Sequence, residues 1–259
     1  MFESKSGVLL IGGLGFFALA FLSNAVVPWL MYRHLPEKTA EEVANVNVLA
    51  QFELLADRYP ESFRKHFGEV PPRPAISDPD DVKARKNAER EAFLRPACAE
   101  SLRLGRDVYV GEACWHCHSQ FVRPVSNEDK RWGPVARSWE YSNELQRPVM
   151  FGTRRVGPDL SREAGRRGND WHAVHFFKPR MTSPESVMPE YPWFFDETGT
   201  AEVPGDDGRP RTVAGPVAPN KRGIAIITYM QWLGSWLDSY PHYHPERVIY
   251  HREEEGQEK

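Results

Sequence analysis

Cysteine is scarce in this chain of 259 residues, which contains only three. Cys114 and Cys117 stand close together, whereas Cys98 has no near partner. A structural zinc site needs four ligands, usually from two close pairs, and the chain has no second C-x-x-C and no H-x-x-x-H. A set completed by His172 and His175 would have unusual spacing. A thioredoxin-like dithiol would need a surrounding βαβ pattern, which is missing.

The chain also lacks a large net charge of either sign. The chain has 33 basic and 36 acidic residues, which leave a formal net charge of -3, so nothing predicts a nucleic-acid-binding surface. One long stretch, residues 7–32, has no charged side chain at all. As a helix it would reach about 39 Å, enough to cross the hydrocarbon core of a bilayer. It leads directly into polar sequence without a small-residue cleavage site, so we expect residues 1–36 to form an uncleaved anchor.

The pentapeptide from Cys114 to His118, C-W-H-C-H, has the spacing that attaches a c-type haem. Each thiol can form a thioether with one vinyl group of the same porphyrin, and His118 is then held under the iron as an axial ligand. This attachment takes place outside the cytoplasm. The flanking charges do not decide the orientation, since long domains cross largely regardless of them. We therefore expect a single-pass protein of the cytoplasmic membrane with its haem domain in the periplasm.

The expected fold class is mainly α: a single N-terminal transmembrane helix followed by an extracytoplasmic cytochrome c-like haem domain. With 22 prolines and 19 glycines, long loops should be irregular. The predicted segments are a membrane anchor (1–36), a helical and linker segment of unknown role (37–96), a cytochrome c domain (97–240) and a polar tail (241–259).

Four helices are predicted after the anchor. A capping box opens the first at Thr39, which should run to about Tyr59. An Asp-Pro-Asp-Asp start predicts a charged helix over 78–94, and a short helix over 104–110 leads into the haem motif. The last helix should cover 224–237 with one buried apolar stripe. Its closest approach to the preceding helix is expected at a glycine, residue 105.

The second axial ligand determines what the iron does. A sulfur ligand raises the reduction potential and closes the site, whereas an open face permits ligand binding or catalysis. Met188 is the favoured ligand because prolines stiffen its loop, and a stiff loop loses little entropy on coordination. Met230 is expected to pack in the core. The other candidates are Met150, Met181, His172 and His175.

Three further residues are expected to contact the haem. The carbonyl of Pro158, in a G-P-D-L turn, can accept the second ring N–H of His118 and fix its tautomer. Arg155 suits a haem propionate. Trp193 follows the methionine loop and is expected at the haem edge.

These segments occur in a characteristic order. An anchor is followed by G-R-D-V-Y-V-G-E-A-C-W-H-C-H-S-Q-F-V-R-P, then R-R-V-G-P-D-L, S-V-M-P-E-Y-P-W-F and a terminal Y-M-Q-W-L-G helix. The chain resembles the membrane-anchored monohaem cytochrome c subunit (subunit II) of cbb3-type cytochrome c oxidase, over the anchor and about residues 104–236. The segment from about 53 to 103 looks enlarged relative to that family.

The resemblance implies one covalent haem c, ligated by His118 and Met188. It implies a role as an electron-transfer subunit that does no oxygen chemistry itself and passes electrons toward a haem–copper catalytic subunit. The implied partners are that multi-span subunit and other c-type cytochromes. Two alternatives stay open: an anchored cytochrome c of another respiratory complex, such as nitric oxide reductase, or an open-iron haem sensor or peroxidase-like protein.

Overall fold

The computed structural model describes residues 4–34, 36–204 and 210–237, without the side chains of residues 4 and 197–217. The chain divides into two compact units, residues 1–38 and 39–259. In chain order the longer elements are α1 (Ser4–Phe21), α2 (Val27–Tyr32), α3 (Ala40–Val43), α4 (Val46–Arg58), α5 (Pro60–Phe67), α6 (Asp80–Gly111), α7 (Glu128–Trp132), α8 (Asn169–Phe177), β1 (Phe195–Pro204), β2 (Pro210–Pro219) and α9 (Lys221–Trp232). The predicted fold class, mainly α, is confirmed.

The first unit consists mainly of one apolar helical segment, residues 4–32. A π-helical turn, Leu22–Val26, joins α1 to α2, and the 28 residues Lys5–Tyr32 are long and apolar enough to cross a membrane. The side chains of Ser23 and Asn24 donate to the carbonyl of Ala20, at 3.2 and 2.9 Å. The polar groups within the candidate span therefore find acceptors on their own helix.

The core of the second unit is the crossing of α6 and α9. A Cβ atom built on Gly105 would lie 2.7 Å from Cβ of Tyr229, so only glycine permits this approach. The rings of Tyr109 and Tyr229 pack beside it in a tilted arrangement, with centroids 5.8 Å apart. The crossing predicted at residue 105 is thus present. α9 ends at Trp232, earlier than predicted, and Gly234 follows with φ 90°, a conformation typical of a helix end.

α6 is one helix of 32 residues, and the prediction of two helices separated around Pro96 was wrong. Leu94, Cys98 and Leu102 are all buried and lie four residues apart, so one apolar stripe continues past the proline. The proline removes a single backbone hydrogen bond, and the packing of this stripe supports the helix through that point. The predicted boundary between residues 96 and 97 falls inside α6.

The helix predicted from Thr39 is also divided differently. Thr39 forms the predicted capping box with Glu42, but α3 ends after one turn. Asn45 then caps α4 by accepting from the backbone N–H groups of Asn47 and Val48, at 3.0 and 3.2 Å. A second capping residue within the predicted helix therefore starts a new one.

The helices before α6 have their own packed interior. Phe52 of α4 contacts Phe63 and Phe67 of α5, with ring centroids 4.8 and 5.4 Å away. The buried Arg90 of α6 hydrogen-bonds Glu53 of α4. The segment of unknown role is therefore a packed helical layer.

β1 and β2 form an antiparallel pair that the sequence did not predict. Their register pairs Phe195 with Pro219 and Pro204 with Pro210. Prolines stand at the ends of the ladder, where a missing N–H costs little pairing. The predicted polar tail, residues 241–259, lies outside the described residues.

Candidate haem site

The two thiols and the imidazole of the C-x-x-C-H motif come from one turn directly after α6. Ala113 adopts a left-handed conformation with φ 58°, which turns the chain out of the helix. The N–H groups of Cys117 and His118 then both donate to the carbonyl of Cys114, at 3.1 and 2.9 Å. Burial, with the Glu112 carboxylate nearby, raises the pKa of the Cys114 thiol to about 12.

The imidazole of His118 is held in one orientation. Its Nδ1 lies 2.9 Å from the carbonyl oxygen of Pro158, and only a protonated Nδ1 can donate to a carbonyl. Burial lowers the pKa of His118, and the Pro158 carbonyl and the Asp159 carboxylate offset this only in part. The lowered pKa favours the neutral ring, and with the proton on Nδ1 the lone pair of Nε2 is the one available to a metal.

Gly157 provides the flat surface against which this ring packs. A Cβ atom at residue 157 would lie 2.6 Å from Nδ1 and 2.7 Å from Nε2 of His118. Backbone hydrogen bonds hold the glycine there: the N–H of Gly157 donates to the carbonyl of Cys117 at 3.0 Å, and that of Leu160 donates to Ser119 at 2.8 Å. The segments on either side of the imidazole are thus paired with each other.

Arg155 lies on the histidine side of the site. It donates to Glu128 through both terminal nitrogens, to Asp159 at 3.3 Å and to Ser119 Oγ at 2.8 Å. Burial opposes ionisation of Glu128, but the hydrogen bonds from Arg155 and from a backbone N–H outweigh it and lower the pKa of Glu128. From the sequence we expected Arg155 to bind a haem propionate. Its hydrogen-bond acceptors within the protein were not predicted, because no local sequence pattern indicates them.

Met188 belongs to a loop that several hydrogen bonds fasten. Its N–H donates to Ser186 Oγ at 3.2 Å, and the side chain is half-buried against the hydrophobic core. Earlier in the loop, Thr182 Oγ1 lies 2.6 Å from Nδ1 of His175. At its end the N–H of Tyr191 donates to the carbonyl of Phe176 at 2.9 Å. Both ends are therefore tied to α8.

The other candidate ligands have different surroundings. Met230 lies in the core face of α9, as predicted, and His172 is buried within α8. Met181 is 43% exposed. The carbonyl of Met150 accepts from the N–H of Gln120 at 2.7 Å, which pairs its segment with the chain after the haem motif.

Trp193 is half exposed, and its Nε1 donates to Glu112 at 3.1 Å. Glu112 also pairs with Arg222 of α9. The ring of Trp193 meets Tyr191 edge-on, with centroids 5.5 Å apart. The pair of Tyr191 and Trp193 therefore lies between the end of the methionine loop and the start of the haem motif. The sequence analysis predicted a haem contact only for Trp193.

The donor set fits a haem better than a zinc ion. Among the side chains that the structure describes, those of residues 5–34, 36–196 and 218–237, no three His, Cys, Asp or Glu come together as a metal site, so the two cysteines have no partners there for a zinc ion. Two thiols three positions apart, followed by an imidazole whose Nδ1 is already engaged, match what a porphyrin with two vinyl groups and an axial position requires.

The helical fold, the candidate N-terminal span and this turn define a membrane-anchored protein with a cytochrome c-like haem domain. Residues 80–217 match the family model described as cytochrome c oxidase, mono-heme subunit/FixO. This match covers more than half of the chain, and the chain belongs to that family. It is therefore a haem-containing subunit of an oxidase complex. The match begins at the first residue of α6 and ends within β2, so α1 to α5 and α9 lie outside it. No curated protein matches the sequence.

Proposed function

We propose that this subunit relays electrons through one covalently bound haem c to the dioxygen-reducing subunit of a haem–copper oxidase and does no oxygen chemistry itself. The observation that carries the proposal is the fixed imidazole of His118, with Nδ1 on Pro158 and Nε2 available, within a chain of the mono-haem oxidase family. The bound haem would supply a one-electron couple of tunable potential.

The protein's own residues would hold the haem in a fixed position. Cys114 and Cys117 would anchor the porphyrin through thioethers, and His118 and Met188 would occupy the two axial positions. Both ligands sit on segments tied to neighbouring chain by hydrogen bonds. Ligands that do not move between oxidation states keep reorganisation small, which suits electron transfer rather than catalysis.

The proposed setting is the cytoplasmic membrane, with the amino terminus in the cytoplasm and the haem domain in the periplasm. The candidate span Lys5–Tyr32 would serve as the single anchor. The proposed partners are a multi-span haem–copper subunit, as acceptor, and other c-type cytochromes.

A purification from native membranes in mild detergent tests the proposal. We expect a multi-span haem–copper chain to co-purify, and we expect the peptide containing Cys114 and Cys117 to carry the mass of one haem. Replacement of both cysteines by alanine should remove the covalent haem and abolish oxygen consumption by the complex. The control is Cys98→Ala, which alters the buried thiol of α6 and should leave the haem attached.

Two outcomes would contradict the proposal. A motif peptide without added mass would exclude covalent attachment. Co-purification with a nitric oxide-reducing complex, and not with an oxygen-reducing one, would show that the subunit transfers electrons within another respiratory complex.

A further inference from the structure

Four side chains linked by hydrogen bonds form one buried cluster, which we call the histidine-side cluster: Ser119, Glu128, Arg155 and Asp159. The exposed fractions of the side chains are 13% for Arg155, 6% for Glu128 and 0% for Asp159. The guanidinium group of Arg155 thus lies between the carboxylates of Glu128 and Asp159, and all three groups are shielded from water. Burying three charges is costly unless every one is paired, so such a cluster needs a structural reason.

Asp159 joins the two segments that flank the imidazole. One carboxylate oxygen accepts from Ser119 Oγ and, at 2.9 Å, from the N–H of Phe121. The other accepts from the N–H of Ser161 at 2.9 Å. Asp159 directly follows Pro158, whose carbonyl binds Nδ1 of His118. The carboxylate therefore fixes the acceptor of the histidine relative to the chain that carries the histidine.

Arg155 completes the connection from the same loop. Its Nε donates to Ser119 Oγ at 2.8 Å, and one terminal nitrogen donates to both Glu128 and Asp159, at 2.9 and 3.3 Å. The other terminal nitrogen also donates to Glu128. All three nitrogens of the guanidinium group thus have acceptors within the protein. Arg155 has φ 51°, a left-handed conformation that is unfavourable for a non-glycine residue and persists only where surrounding contacts impose it.

We propose that Arg155, Glu128 and Asp159 are positioning residues that hold the Pro158 carbonyl against Nδ1 of His118 and thereby lower the reduction potential of the haem. This inference rests on the proposed function, because it requires a haem iron on Nε2. It gives Arg155 a role on the histidine side instead of a propionate contact.

The physical link is the strength of the hydrogen bond from Nδ1. A short bond to a fixed acceptor gives the imidazole more anionic character and makes it a stronger donor to a metal. A stronger donor favours the ferric state, so the reduction potential falls. When the cluster loosens, Pro158 moves away, the donor weakens and the potential rises.

The charge-conserving variant Arg155→Lys separates positioning from simple electrostatics. A lysine keeps the positive charge but cannot reach Ser119, Glu128 and Asp159 together, since it lacks the planar fork. For the haem-loaded, full-length protein in detergent, we expect the equilibrium constant for reduction to rise about tenfold, which is ~59 mV for a one-electron couple. The Nδ1 proton of His118, followed by NMR in the reduced state, should exchange faster with solvent.

Arg90→Lys is the matched control. Arg90 is also buried and also divides its hydrogen bonds between a carboxylate, Glu53, and a carbonyl, that of Pro71, but it contacts none of the cluster. We expect it to leave the potential and the Nδ1 exchange rate unchanged. If Arg155→Lys does not accumulate, Asp159→Asn takes its place. Because this variant also removes a negative charge, which raises the potential by itself, the Nδ1 exchange rate is then the deciding measurement and should increase.

The results separate this inference from the proposed function. Variants that carry haem and keep both the parental potential and the parental Nδ1 exchange rate would overturn the positioning role alone. A raised potential with unchanged Nδ1 exchange would also overturn it, since the cluster would then act through its charge. A parent protein without haem would overturn the proposed function and this inference with it.

Discussion

At the residue scale, the most constrained contact in the site is the packing of Gly157 on His118. The imidazole has a hydrogen bond at Nδ1 and a glycine against its ring, so both its tautomer and its tilt are fixed before any ligand binds. The sequence was sufficient to indicate the G-P-D-L turn as the histidine-side element. The packing on Gly157 required the structure, since nothing in the sequence shows that the ring lies on this residue.

Gly157→Ala should displace the imidazole. The added Cβ would lie 2.6 Å from Nδ1, far inside van der Waals contact, so either the ring or the loop must move. We expect less haem to be incorporated and weaker axial ligation in the remainder, measured as haem per protein and by the absorption spectrum. Gly168→Ala is the control, because a Cβ there meets nothing within 4 Å. A parental spectrum in Gly157→Ala would show that the contact does not constrain the histidine.

Met188→Leu should open the second axial position. Leucine has about the same volume as methionine but no sulfur donor, so the loop keeps its packing while the iron loses its ligand. We expect the reduced protein to bind carbon monoxide and the reduction potential to fall. Met181→Leu is the matched control in the same loop, where the exposed side chain should not matter. Parental behaviour of the Met188 variant, with no carbon monoxide binding, would assign the ligand to another residue.

At the element scale, the α6–α9 crossing determines where the haem motif begins. α6 crosses α9 at Gly105 and ends six residues later, at Gly111, so the motif turn emerges beside the core. The sequence was enough to locate this crossing because a glycine in the apolar stripe of a helix removes the side chain that would keep a second helix away. It was not enough to show that α6 is continuous. The first half of the helix is mostly charged and Pro96 follows this half, so the apolar stripe of Leu94, Cys98 and Leu102 is recognisable only from the residues that pack on it. The pairing of β1 with β2 was not predicted either, since prolines stand at both ends of the ladder and proline is disfavoured in paired strands.

Gly105→Ala should weaken this crossing. The methyl group would lie 2.7 Å from Cβ of Tyr229 and closer still to the carbonyl of Ala225. Overpacking of this kind typically costs about 1–3 kcal/mol of stability. Chemical denaturation of the full-length protein in detergent, followed by circular dichroism, measures the change. Gly111→Ala lies on the same helix with open space around it and should be neutral or slightly stabilising. Equal stability of the two variants would contradict the close approach.

At the scale of the whole molecule, the chain separates its tasks between two units. Residues 39–259 contain the hydrophobic core and every residue of the candidate haem site, while residues 1–38 contain the apolar helix. Most of the apolar side chains of that helix are exposed, as expected for a segment whose solvent is a bilayer. The core of the second unit does not include them, so its folding should not depend on the anchor.

Replacing the anchor by a cleavable secretory signal tests this division and the proposed orientation together. A chain that begins at Thr39 and is exported should be recovered from the soluble periplasmic fraction with covalent haem and the absorption spectrum of the full-length protein. The same chain without a signal should stay in the cytoplasm and lack haem, because covalent attachment takes place outside it. The measurement is haem staining of fractionated cells after denaturing electrophoresis. Haem on the cytoplasmic form would contradict the orientation. A soluble exported form without haem would show that the anchor contributes to the haem domain itself, and not only to its attachment to the membrane.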